Sequence, residues 1–193
     1  MIGTFVENLK GFLLDPVETF RQSRTDTPAA VFGYLGALLL INAVLSALVA
    51  FAAGFGSTRD LAGMPGGISA PVGVFFLVLV GGFILTLTGA AWIHLWTYLL
   101  GGRKGIMQTL IAFIYAGTPG QILGWIPLIG FIATLWSLVL IVIGIRELQE
   151  LSTGKAILAV AIAVIIPLAV IILAAAYFMI APSAVTTVPV SQG

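Results

Sequence analysis

The side chains that could do chemistry in this 193-residue chain are few and scattered. Its seven carboxylates are Glu7, Asp15, Glu18, Asp26, Asp60, Glu147 and Glu150, and its one histidine is His94. General acid–base catalysis needs titratable groups held together, and a metal site needs convergent ligands. Here every acid falls outside the long apolar stretches, and His94 lies inside one with no partner acid. The absence of cysteine excludes disulfides, thiolate catalysis and Cys-based metal or Fe–S sites. No zinc-protease, nucleotide-loop or serine-nucleophile motif occurs. No enzymatic activity, cofactor or metal is therefore expected.

The remaining candidates are polar groups within the apolar stretches: Asn42, Ser46, Thr86, Thr88, His94, Thr97, Gln108, Gln121 and Ser137. Polar groups at membrane depth usually face protein or water. Serine and threonine can bond back to their own helix, and a lone His or Asn can bond across helices. Two readings stand. Either these are scattered structural bonds, or Asn42, Thr86, His94 and Gln108 form a functional polar cluster. A second group is ionic. Arg21, Arg24, Arg103 and Lys104 flank apolar stretches, where they set topology and could contact anionic lipid headgroups.

The elements that must hold these residues follow from composition. Residues are 60% hydrophobic and 8% charged, whereas a soluble domain carries roughly 25% charge. Only a bilayer absorbs that apolar excess. The net charge of +1 gives no electrostatic case for nucleic acid. Apolar stretches fall at about 28–52, 72–100, 106–123, 128–145 and 156–180, each near or above the ~20 residues that cross a bilayer. The expected fold is all-α: a polytopic membrane bundle of five transmembrane helices, with short amphipathic helices before the first. The second stretch is long enough to tilt, with Trp92, Trp96 and Tyr98 as interfacial anchors.

The charges between spans fix an expected orientation. Successive islands carry Lys10, Arg21 and Arg24; then Arg59; Arg103 and Lys104; none; Arg146 and Lys155; and none. Placing the first, third and fifth islands in the cytoplasm puts seven of the eight basic residues inside. The N-terminus is then cytoplasmic and the C-terminus external, in a multi-pass cell-membrane protein. Residues 1–27 lack the apolar core and cleavage site of a signal peptide, so the first span is expected to act as the insertion signal.

Local signals refine the picture. Phe5, Val6, Leu9, Phe12 and Leu13 share one face of a short helix over 4–14, which either lies on the membrane surface or packs against the bundle. Asp15-Pro16-Val17-Glu18 starts a second helix over about 16–24, and Thr27-Pro28 starts the first span. A Gly- and Pro-rich loop spans 53–71. Gly117, Pro119 and Gly120 disturb the third span before a charge-free turn through Gln121 and Trp125-Ile126-Pro127, read as a tight hairpin or a re-entrant element. Pro167 should kink the fifth span, and 181–193 reads as a disordered tail. Small residues recur at four-residue spacing: Ala29, Gly33 and Ala37 in the first span, and Gly82, Thr86 and Ala90 in the second.

The order of these features resembles the Yip family of Ypt/Rab-GTPase-interacting membrane proteins. The resemblance rests on Asp15-Pro16-x-x-Thr19-Phe20 followed by Pro28, and on the run from His94 through Gly101-Gly102, Gln108-Thr109, Tyr115-Ala116-x-x-Pro119 and Ile126-Pro127. Glu147, Ser152 and Lys155-Ala156 complete it over about residues 8–180, in the manner of the small prokaryotic members. It implies a five-span protein with a cytoplasmic N-terminus. Eukaryotic relatives are implicated in vesicle trafficking, through prenylated Rab-type GTPases and partner Yip and Yif proteins. The 27 residues ahead of the first span leave a large GTPase little surface, and the family's Asp-Leu-Tyr-Gly-Pro-type motif is missing, so GTPase binding is not expected.

The expected organisation is a cytoplasmic amphipathic segment at 1–27, a five-span domain at 28–180 and an external tail at 181–193. The expected function is a non-enzymatic scaffold or adaptor that organises membrane or membrane-protein assemblies. Its expected partners are lipids and either copies of itself or other membrane proteins. The alternative is a lipid scramblase-like or small-solute transporter, using the polar row Thr86, His94 and Gln108.

Overall fold

Two proline-led caps open the chain's entry into the bundle. The Asp15 carboxylate accepts a hydrogen bond from the Glu18 backbone N–H at 3.4 Å and starts α1 (Pro16–Gln22), which tightens into a 3-10 turn at Ser23–Thr25. The Thr27 hydroxyl does the same for the Ala30 N–H at 3.3 Å and starts α2 (Pro28–Ala52). Proline suits the first helical position because its missing N–H would have had no partner there. The computed structural model describes Glu7 and residues 10–12, 14–53 and 69–185.

Beyond α2 the chain resumes with α3 (Ser69–Phe76), which passes through a π-helical turn at Leu77–Gly81 into α4 (Gly82–Leu99). The π turn sits directly before a close contact of α4 with α2, where a Cβ on Gly82 would lie 2.6 Å from Leu39 Cδ2. There follow α5 (Ile106–Ala116), α6 (Thr118–Leu123), α7 (Pro127–Leu148) and α8 (Thr153–Val185). Five helical stretches are long and apolar enough to cross a membrane: Pro28–Ala52, Ala70–Leu99, Ile106–Leu123, Leu128–Leu148 and Thr153–Met179. They coincide with the five expected spans to within a few residues. The last helix runs unbroken through Pro167 to Val185, so residues 181–185 are helix where a tail was expected. Residues 186–193, the loop residues Arg59 and Asp60, and the expected apolar positions Phe5, Val6, Leu9 and Leu13 lie outside the described residues.

The third and fourth spans form a helical hairpin. Both α5 and α6 pack along α7, and the turn between them is tight enough to need glycine. A Cβ on Gly124 would fall 2.2 Å from the Gly120 carbonyl oxygen, and one on Gly130 would fall 2.7 Å from the Gly124 oxygen. At the opposite end of the hairpin the first, third and fifth charge islands meet. Arg24, Lys104 and Glu150 are in direct contact there. The first, third and fifth islands thus share one end of the bundle, where the charges of the described residues gather.

That end is closed by the N-terminal segment. Phe12 and Phe20 are fully buried, with ring centroids 4.9 Å apart. Phe12 stacks on Tyr115 at 4.7 Å, and Tyr115 meets Tyr34 edge-on at 4.9 Å. Phe20 fits a notch at Gly144, where a Cβ would lie 3.0 Å from both the Phe20 ring and the Ala112 methyl. Of the two placements left open for the N-terminal apolar face, Phe12 takes the one against the bundle.

The last span packs on α4 and α7 through Ala156, Ala159, Val160 and Ala163, and a side-chain bond from α4 reaches its backbone. Proline has no N–H, so Pro167 leaves the carbonyl four residues before it, that of Ala163, without its helical partner. The Trp92 indole N–H donates to that Ala163 oxygen at 2.9 Å. Trp92, expected at the interface, is half-buried and serves this backbone carbonyl, since an unpaired carbonyl in hydrocarbon costs several kcal/mol. Past this contact, from Val164 to Met179, every side chain of α8 is exposed, as an all-apolar helix in lipid permits. Replacing Trp92 by Phe should lower unfolding stability in detergent by about 1 kcal/mol. The same change should have a much smaller effect beside Pro167→Ala, which restores the missing N–H. Equal effects in both backgrounds, measured as a double-mutant cycle, would show that the bond carries no such role.

Candidate functional site

The charged end is built around the C-terminus of α7, whose last carbonyls lack helical partners. Arg24 meets one of them, donating through Nη2 to the Glu147 carbonyl at 2.6 Å, while its Nη1 holds Glu150 at 2.9 Å. Lys104 reaches the other Glu150 oxygen at 2.6 Å, so one carboxylate joins the N-terminal segment to the turn between α4 and α5. Glu147 in turn takes Arg21 at 2.9 Å and Arg146 at 2.5 Å. Gln108 Nε2 donates to the Arg24 carbonyl at 3.0 Å. Arg24, Lys104, Gln108, Leu148 and Glu150 border a small cavity of about 140 Å³.

Beneath this ionic layer lies a buried amide clasp. Gln149 is 2% exposed, and its Nε2 donates to the Gly105 carbonyl at 2.8 Å and to Thr109 Oγ1 at 2.9 Å. Its Oε1 accepts the Lys104 backbone N–H at 3.1 Å. Gly102 must be glycine for the turn to close, because a Cβ would lie 2.7 Å from Thr97 Cγ2 and 3.0 Å from Gln149 Oε1. Thr109 Oγ1 also lies 2.8 Å from His94 Nδ1. Gln149 Nε2 donates to that hydroxyl, which keeps a second lone pair and its own proton for the contact with His94 Nδ1.

The four residues singled out as a polar cluster do not converge. His94 and Gln108 both sit near the charged end but hold different partners, Thr109 and the Arg24 carbonyl. Thr86 bonds back to the Gly82 carbonyl of its own helix at 2.7 Å. Asn42 lies toward the other end and donates to the Gln121 carbonyl at 2.6 Å and to Gln121 Oε1 at 3.1 Å. The Gln121 carbonyl lies at the C-terminus of α6, where helical partners run out, so Asn42 caps it. Ser46 donates to Asn42 Oδ1 at 3.0 Å, and the Trp125 indole caps Ile122 in the same turn at 2.7 Å.

The four expected headgroup cations divide as well. Arg21, Arg24 and Lys104 are paired with Glu147 and Glu150, whereas Arg103 lies over the Tyr98 ring, 3.8 Å from its centroid. Two contributors were missed in the sequence. Gln149 follows a span and has the composition of a surface turn; only the glycine-rich 101–105 turn hinted that something packs there. Asp26 reads as a helix-flanking acid, yet accepts the Tyr115 hydroxyl at 2.5 Å. Among the described residues, no group of three or more His, Cys, Asp or Glu could hold a metal ion.

Two outcomes follow from this geometry. Gln149→Leu removes three hydrogen bonds and leaves the Gly105 carbonyl and Lys104 N–H unpaired, so it should destabilise the protein by about 2–3 kcal/mol in a detergent unfolding assay. A loss below a few tenths would show the clasp to be dispensable. The second concerns pH. The hydrogen bond from Lys104, helped by the charges of Lys104 and Arg24, holds the Glu150 carboxyl below its ordinary range. A carboxyl depressed by folding stabilises fully above its unfolded pKa, about 4.3, and loses that contribution as pH falls through the folded value. Thermal stability should therefore fall on acidification below about pH 4, and Glu150→Gln should flatten that part of the profile. An unchanged profile in the variant would exclude Glu150 as a source of the acid sensitivity.

No curated protein and no solved structure matches this chain. A family model does: that of the Yip1 domain, over residues 10–176. The matched stretch takes in α1 to α7, most of α8, both caps, the Phe12–Phe20–Tyr115 stack and the whole charged end. The chain is therefore a multi-pass membrane protein that belongs to the Yip1 domain family.

Proposed function

We propose that this protein is a non-enzymatic membrane scaffold or adaptor, which assembles with copies of itself or with other membrane proteins through a lipid-facing helix surface. The observation that carries the reading is the outward face of α2. Ala29, Gly33, Gly36 and Leu40 share one side of that helix and are exposed, and a Cβ at Gly33 or Gly36 would meet nothing within 4 Å. The second span shows the contrast, since its Gly82 is already filled by Leu39. Small residues let helices approach closely in lipid, where burial of apolar surface no longer drives association. Those of α4 serve the bundle itself; those of α2 remain for a neighbour.

The intramembrane polar groups support the same reading. Asn42, Thr86 and Trp92 each bond a backbone carbonyl, which is a structural duty. The polar row of the transport alternative does not line up, and no observation favours that alternative. Membership of the Yip1 domain family agrees with an organising role. By the excess of basic residues, the charged end faces the cytoplasm. GTPase docking forms no part of the proposal.

A photo-crosslinking residue in place of Ala29, on the same exposed face, should capture a second copy or another membrane protein in native membranes. Gly33→Leu should leave folding intact and reduce that capture about tenfold, the scale of a helix contact worth 1–2 kcal/mol. Gly82→Leu should instead disrupt the fold. Crosslinks to lipid alone from position 29 would remove the scaffold reading.

A further inference from the structure

We infer that Arg103 and Lys155 form a binding site for the phosphate of an anionic phospholipid at the charged rim, on the side where α4 meets α8. The inference starts from a charge census of that rim. Arg21, Arg24, Lys104 and Arg146 each lie against a carboxylate. Arg103 and Lys155 do not: among the described residues, no carboxylate lies within ion-pair distance of either. Both border the same turn. Arg103 donates through Nη1 to the carbonyls of Tyr98 and Gly102, the second at 3.1 Å. Lys155 Nζ lies 3.6 Å from the position a Gly101 Cβ would take.

The geometry of the pair suits a phosphate. Both contacts of Arg103 use Nη1, so the other donors of its guanidinium have no partner among the described residues. Its plane is fixed by the Tyr98 ring, 3.8 Å away, which lowers the entropy lost on binding an anion. Lys155 borders this turn at Gly101 and Arg103 at Gly102, two residues that place no side chain of their own there. Gly101 is exposed and has φ +106°, a conformation that a bulkier residue would rarely adopt. The first N–H groups of α8 open on the same rim and add to its positive potential.

A lipid rather than a free ion is the occupant because of what lies next to the cations. Leu95 and Leu99 are four residues apart on α4 and exposed, with Tyr98 between them also exposed. Leu158, three residues after Lys155 on α8, is exposed as well. Cations at the rim continue into apolar helix surface below it, matching an amphiphile with an anionic head. This differs from the expected headgroup set, of which only Arg103 remains uncommitted; Lys155 is its partner. The site stands or falls independently of any protein docking on α2.

The test uses the full chain in detergent, with native mass spectrometry reading retention of phosphatidylglycerol against phosphatidylcholine of the same acyl chains. The expected result is preferential retention of phosphatidylglycerol, weakened about fivefold by Arg103→Gln or by Lys155→Gln and about 25-fold by both. Lys104→Gln should change retention less than about twofold, since Glu150 already holds that charge. Arg103→Lys with Lys155→Arg should keep most of it, which guards against a fold defect in the neutral variants. Retention by the wild type should weaken with added salt and resist millimolar inorganic phosphate. Undiminished phosphatidylglycerol binding by the double neutral variant would overturn the inference, as would equal retention of the two lipids. Displacement by inorganic phosphate would overturn it too, by assigning the site to a free anion.

Discussion

A backbone carbonyl without a partner in hydrocarbon costs several kcal/mol, and no water is there to help. Most of what is distinctive in this bundle answers that constraint. Among the described residues, several places where the helical ladder fails have a side chain assigned to them. Pro167 frees the Ala163 carbonyl, and Trp92 takes it. The short helix α6 ends before the next span, and Asn42 takes its Gln121 carbonyl. At the charged end Arg24 takes the Glu147 carbonyl and Gln149 takes that of Gly105. Of the polar residues that looked like candidates for chemistry, Asn42 lies at such a break, whereas Thr86 bonds back within its own helix and His94 meets the Thr109 hydroxyl. Their rarity follows from the same cause, since a regular helix needs none.

The two ends of the molecule are consequently unlike. The charged end carries ion pairs, an amide clasp and the aromatic stack of Phe12, Phe20, Tyr115 and Tyr34. Away from it the packing loosens. From Val164 to Met179 every residue of α8 is exposed, and much of α3 with its π turn is exposed too. Exposed ion pairs contribute little singly, so the rigidity of the charged end comes mainly from burial of Phe12 and Phe20 and from Gln149. The ion pairs add direction: Glu150, held from two sides, sets how the N-terminal segment and the 100–105 turn sit relative to each other.

The spans, the alternation of charge and both N-caps were legible because they rest on local rules: apolar length, the bias of Lys and Arg, and Asp or Thr one residue ahead of proline. The end of the last helix was less so, because Ala181 to Val185 carry no stop signal of their own beyond Pro182. The roles of the polar residues were legible only in kind. Sequence shows that Asn42 must find a partner, but the partner, Gln121, is set by how α2 crosses the hairpin. Trp92 could have been paired with Pro167 in principle, since Pro167 announces an orphan at Ala163; nothing local says which of four tryptophans fills it. Gln149 was missed for the opposite reason, a polar residue in a polar turn whose burial depends on Gly102 and Gly105 across the bundle.

The closure of the charged end also bears on what a partner could use. A scaffold must present a surface that its own fold does not consume. The N-terminal segment covers the end of α7 and the ring of Tyr115, so that face is already occupied from within the chain. The outward side of α2 remains open, and its inner side is tied to α6 at two depths, through Tyr34 to Thr118 at 3.0 Å and through Asn42 to Gln121. A neighbour packed on Gly33 and Gly36 would thus bear on a helix whose far side is anchored to the α5–α6 unit at two depths. Tyr34 of that helix in turn meets Tyr115 edge-on, and Tyr115 donates to Asp26, so packed side chains run without a gap from α2 to the N-terminal segment.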